Sequence, residues 1–199
     1  MNRKLKGGKL LHDGTSQPVL AQSHLVQTAI ECAPRTFHAL DIENLVGGTR
    51  ASKADVHRLM QIYREQAFGV RQGDVALIGA SHYAATSYMF ALGDFDAEWT
   101  LGSGSDGAEL SMMDRMDLPY IARHFDRIVV GSGDHIWLDT ILKSKELGLR
   151  VAIFTGKGKL SYELSSLNVP LCRQRDVKRD AVIKPGRIHA IRTGFAIAA

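Results

Sequence analysis

The chain has 199 residues, 45% of them hydrophobic and 23% charged, with a formal net charge of +4 at pH 7. That length argues against two full domains, and that composition fits one globular domain with extensions and a sizeable core. No apolar run reaches the roughly 18 residues that span a bilayer, and the basic start lacks the apolar stretch of roughly 7–15 residues that makes a signal peptide, so a cytoplasmic protein without a membrane partner is expected.

Residues 1–34 are weakly periodic apart from a short helical pattern over 23–32, and Pro34 separates them from a first strand over 36–42. Ser52 is placed to cap an amphipathic helix of Val56, Leu59, Met60, Ile62 and Tyr63 that ends near Ala67. A second buried strand covers 74–80. Ser81 caps a helix that Gly93 stops. A short third strand covers 98–101, and a glycine-rich loop leads to a helix over 108–116. Pro119 opens a further helical piece, and a fourth strand covers 126–132. A helix over 135–147, a fifth strand over 150–155, a short helix over 161–167 and a sixth strand over 169–172 complete the pattern. Met112, Met113 and Met116 recur at helical spacing and read as core. Strands alternate with helices, which predicts a mainly parallel sheet covered on both faces. The domain is expected over 35–172, between an N-terminal extension (1–34) and a basic C-terminal one (173–199). Cys32 and Cys172 lack metal-ligand spacing and read as reduced thiols.

Two apolar runs end in carboxylates. Ala39, Leu40 and Ile42 carry Asp41, with Glu43 and Asn44 next; residues 127–134 close on Ser132, Gly133 and Asp134. A carboxylate at the end of a buried strand needs a partner or a cation. In an open parallel sheet such ends gather at the edge where ligands bind. Asp106 and Glu109 are three apart at a helix start, where acids are also common without function. Oxygen ligands without a Cys or His cluster select Mg2+ or Mn2+. Such an ion can activate water and neutralise a phosphodiester in its transition state. Asn44 would orient the site.

The charge is unevenly placed. Residues 1–10 carry four basic and no acidic side chains, and residues 173–199 carry seven basic and two acidic ones, leaving −5 on the remainder. Basic ends on an acidic body suit polyanion binding, with Arg173, Arg175, Lys178 and Arg179 as candidate contacts, although such tails also serve solubility alone. His82 and Tyr83 follow the second strand, where they could stack on a base or simply pack a helix start. His135 follows Asp134 directly, and Trp137 reads as a core anchor. Lys157 and Lys159, between glycines, are with His82 and His135 further possible RNA contacts, but the full phosphate-loop pattern is absent, so triphosphate chemistry by that route is not expected.

Asp41-Ile-Glu43-Asn44-Leu resembles the D-x-E-N strand end of the NYN family in the PIN-like ribonuclease superfamily. Ser132-Gly133-Asp134 resembles that family's S-G-D segment, and Gly104 to Asp114 its third acidic element. The resemblance covers about residues 36–168. It implies a PIN-like, Rossmann-like three-layer fold with strand order 3-2-1-4-5. It also implies metal-dependent cleavage of RNA, with Asp41, Asp134 and one or both of Asp106 and Glu109 around the ion; Asp41, Asp106 and Asp134 are the expected ligand set. One position departs from the pattern: Ile136 stands where many relatives carry a second aspartate. A non-catalytic RNA-binding or protein-interaction module is therefore the alternative. The sequence leaves self-association open.

Overall fold

A computed structural model describes residues 34–66, 68–92 and 95–176. It is a three-layer, Rossmann-like α/β fold around a six-stranded parallel sheet of order β3-β2-β1-β4-β5-β6. The strands are β1 (Thr36–Asp41), β2 (Val75–Ser81), β3 (Glu98–Gly102), β4 (Arg127–Gly131), β5 (Arg150–Thr155) and β6 (Leu171–Arg173). The first five stand in the expected order, and the sixth extends the sheet beyond β5. The expected helix over 23–32, Ala67 and Gly93, and Lys178 and Arg179, lie outside the described residues.

β1 is central because every one of its residues is buried. A strand covered on both faces buries its polar side chains too, so His38 and Asp41 must each find hydrogen-bond partners inside the fold. Its alternate side chains feed two cores. Leu40 joins Ile78, Val129 and Phe154 on one face, under the helices α1 (Ile42–Val46), α2 (Lys53–Glu65) and α3 (His82–Ala91). Ala39 joins Leu77, Val130 and Ile153 on the other, under α4 (Gly107–Arg115), α5 (Leu118–His124), α6 (Leu138–Glu146) and α7 (Tyr162–Ser166). Met112 and Met116 belong to this second core, as does Trp137, which is fully buried.

Two elements differ from the sequence reading. The first strand stops at Asp41, and Ile42–Val46 turns into α1, where a strand end running into a loop was expected. Asp41 itself caps that helix by accepting from the Asn44 amide, and Gly47, at φ 88°, closes it in the left-handed region. Five residues are too few for helical periodicity to show. The helix expected over 135–147 is split into a 3-10 turn, His135–Trp137, followed by α6. Asp134 caps that turn through the Ile136 amide.

Within the first core lies a polar exception. His38 is fully buried; its Nδ1 lies 2.6 Å from the Tyr63 hydroxyl and its Nε2 3.2 Å from Asp74. Burial holds His38 below its usual pKa, despite Asp74. A neutral ring satisfies this arrangement, accepting from Tyr63 and donating to Asp74.

Candidate metal centre at the sheet edge

Strand register brings β1 and its neighbours to a common C-terminal edge. Asp41 stands beside Gly79 of β2, and Leu40 beside Gly131 of β4, so Ser132 follows level with Asp41. Asp41 is 1% exposed. Its Oδ1 accepts from the Asn44 amide at 3.1 Å, and its Oδ2 accepts from the Ser132 hydroxyl at 3.1 Å. The Glu109 carboxyl, from the first turn of α4, lies within hydrogen-bonding reach of it. Burial, and then the charge of Glu109, push the Asp41 carboxyl up to about 8, while the two donated hydrogen bonds pull it partly back. Among the described residues the groups that shift it are Glu109, Asn44 and Ser132, none of them cationic. Near neutral pH the Asp41 carboxyl therefore keeps its proton.

Ser132 connects two of the expected acids. It donates to Asp41, and its oxygen accepts from the Asp134 amide at 3.2 Å. The Asp134 carboxylate is half-buried and turned toward its own helix start, where Oδ1 accepts from the Ile136 amide at 3.1 Å and pairs with His135 Nδ1 at 2.9 Å. Asp106 behaves differently from Glu109. It adopts φ 57°, makes no side-chain cap, and stands exposed with the Ser105 hydroxyl donating to it. The structure thus brings Glu109 against Asp41, links Asp134 to Asp41 through Ser132, and leaves Asp106 on the loop. Among the described residues no group of three or more acidic, His or Cys side chains is close enough to hold an ion.

Asn44 is a lock on this edge. Its Oδ1 accepts from the Gly133 amide at 3.0 Å, and its backbone oxygen accepts from the Gly158 amide at 2.9 Å. One residue so ties the ends of β1 and β4 to the loop after β5. The glycines are required by closeness. A Cβ on Gly158 would meet the Asn44 oxygen at 2.4 Å, and one on Gly156 would meet the Leu45 oxygen at 1.9 Å. Gly133 is pressed likewise on the Lys159 carbonyl. Glu43 closes the other side, its Oε1 accepting from the Ser81 amide at 2.6 Å.

The expected polyanion contacts are scattered along this edge. His82 is exposed, with Nδ1 3.1 Å from the Gly102 carbonyl and 2.9 Å from the Ser103 hydroxyl, so it ties α3 to the end of β3. Lys157 is paired with Asp55 at 2.8 Å, and that ammonium, with the Ser52 hydroxyl, holds Asp55 down to about 2. Lys159 is exposed, Arg173 ends β6 half-buried, and Arg175 is exposed on the turn after it. Ser132, Glu43 and the glycines at 156 and 158 carry roles that sequence reasoning did not assign. The hydroxyl two residues before Asp134, at a strand end, was the available signal for Ser132.

The fit of a divalent cation can be judged from the donor set. Asp41 and Glu109 are hard oxygen donors on neighbouring elements, which suits Mg2+ or Mn2+. The Asp134 carboxylate, turned to Ile136 and His135, stands outside that pair. No family model matches the sequence, and a search of the curated proteins finds no match. No helix among the described residues is long and apolar enough to cross a membrane.

Proposed function

We propose that this protein is a metal-dependent ribonuclease of the NYN, PIN-like kind, hydrolysing RNA phosphodiester bonds at the edge formed by Asp41, Glu109 and Asp134. The observation that carries the reading is the buried Asp41 carboxyl, set against Glu109 with no cation among the described residues acting on it. Such a pair is costly as it stands and gains most from a divalent ion. A bound Mg2+ or Mn2+ would supply an activated water and neutralise the developing phosphorane charge. The protein's own residues do the rest. Asp41 and Glu109 would hold the ion, and the Asp41 proton would be released to solvent as the ion binds. Ser132 keeps the Asp41 carboxyl in place, and Asn44 sets the spacing of the β1 and β4 ends. The resemblance of residues 36–168 to the NYN pattern supports the same chemistry. Localisation in the cytoplasm belongs to this reading.

The test is incubation of the full chain with end-labelled single-stranded RNA and Mn2+. Cleavage that EDTA stops and that Asp41→Asn abolishes is expected. Cleavage unaffected by EDTA, or retained in Asp41→Asn, would overturn it. The second reading, an RNA-binding or protein-interaction module without catalysis, is favoured by Asp134, whose carboxylate is engaged by Ile136 and His135. It predicts RNA bound and left intact.

A further inference from the structure

The helix α3 presents its large rings to solvent. Its sequence, His82 to Ala91, has no acidic, Lys or Arg side chain, and it buries only Ala84, Ala85 and Tyr88. Tyr83 is 77% exposed and Phe90 75% exposed. Seven residues apart, they lie two turns from one another on one face, roughly 10 Å along the axis. The helix begins directly after Ser81, whose amide is bound by Glu43, two residues from Asp41. Its far half is tied to the loop between α1 and α2. The Tyr88 hydroxyl donates to the Gly48 carbonyl at 2.7 Å and accepts from the Ala51 amide at 3.3 Å. That loop lines an open cleft of about 380 Å³ with Arg50 and Lys157, and the Lys53 ammonium stands 5.6 Å from the Phe90 ring.

We propose that single-stranded RNA lies along this face, its bases stacking on Tyr83 and Phe90 and its phosphates held by Arg50 and Lys53. The inference rests on the ribonuclease reading and adds the path of the substrate over α3. Exposed rings stack on unpaired bases, which a duplex does not offer, and cations beside them track the backbone. The charge argues against a second copy of this chain as the occupant. A twofold interface brings the same patch against itself, and here cations would meet cations, because Asp55, the one carboxylate lining the cleft among the described residues, is taken by Lys157.

The experiment is fluorescence anisotropy of a labelled oligouridylate, and of an RNA duplex of equal length, with the full chain in EDTA. Wild type should bind the single strand more tightly than the duplex. Tyr83→Ala and Phe90→Ala should each weaken it on the order of tenfold. Phe90→Leu should be as weak as Phe90→Ala, and Phe90→Tyr should restore binding, which separates stacking from mere hydrophobic contact. Arg50→Ala with Lys53→Ala should lower the slope of log K against log salt by about 0.7 for each phosphate that is no longer neutralised. Unchanged affinity in the ring variants overturns the track, and Mn2+-dependent cleavage by wild type, measured alongside, shows whether the ribonuclease reading survives it. A wild type that binds no RNA overturns both. Ring variants that alter self-association in sedimentation while RNA affinity stays the same assign the face to a second copy and overturn the proposal.

Discussion

Replacing Asp41 by Asn should stabilise the metal-free protein, and increasingly so as pH rises. The Asp41 carboxyl sits at about 8 in the folded protein and 3.8 in the reference state, because it is buried against Glu109. A group whose folded value is raised contributes stability that is full below its unfolded value and is lost as pH rises through the folded one. The wild type therefore loses stability from about pH 4 to about pH 8 on this account. At about 1.4 kcal/mol per pH unit the whole span is worth roughly 6 kcal/mol as an upper limit. Relaxation of the site and water penetration bring the expected figure to about half. Asn retains the acceptor for the Asn44 amide and is a good cap, and its own amide can donate to Glu109. Urea denaturation in EDTA, at about pH 5 and about pH 9, should show a gap between variant and wild type that widens by roughly 2–4 kcal/mol. A gap that stays constant, or a variant less stable at both values, would refute the reasoning.

Three other outcomes follow from the same geometry. Residues that merely orient metal ligands are worth about 10- to 100-fold, so Glu109→Gln should lose at least that much Mn2+-dependent cleavage, while Asp106→Asn, exposed on its loop, should stay within a few-fold; steady-state kinetics on labelled RNA compares them. Gly158→Ala should cost about 1–3 kcal/mol in a urea titration, because its Cβ would press on the Asn44 oxygen at 2.4 Å. His38, held below 6.5 by burial, contributes stability that is present above its unfolded value of 6.5 and lost as pH falls through its lower folded value. A His38→Gln variant should lack that acid-side loss when both proteins are titrated with urea from neutral pH downward.

The sheet and its polar edge were legible because buried parallel strands write themselves as apolar runs, and because Asp41 and Asp134 interrupt two such runs at their ends. The helix α1 was not legible, since five residues contain little more than one turn and Asp41 reads equally as a strand end and as a cap. Asp106 and Glu109 were indistinguishable in sequence. Three residues apart on a helix they share a face, and only the left-handed backbone at Asp106, φ 57°, sets it apart on the loop. Contacts across long separations were also hidden. The His38–Asp74 pair spans 36 residues and the Asn44–Gly133 bond spans 89, and neither has a local pattern. Glycines at 156 and 158 looked like an incomplete phosphate loop, whereas their closeness to α1 accounts for them.

The central claim is that Asp41 and Glu109 hold a divalent cation. Crystals of the full chain soaked in Mn2+ and measured at the manganese edge test it directly. The account predicts one anomalous peak at about 2.1–2.2 Å from a carboxylate oxygen of Asp41 and of Glu109, and its absence from crystals of Asp41→Asn. Soaked crystals with no peak at this edge, or with manganese bound only elsewhere on the chain, would contradict it.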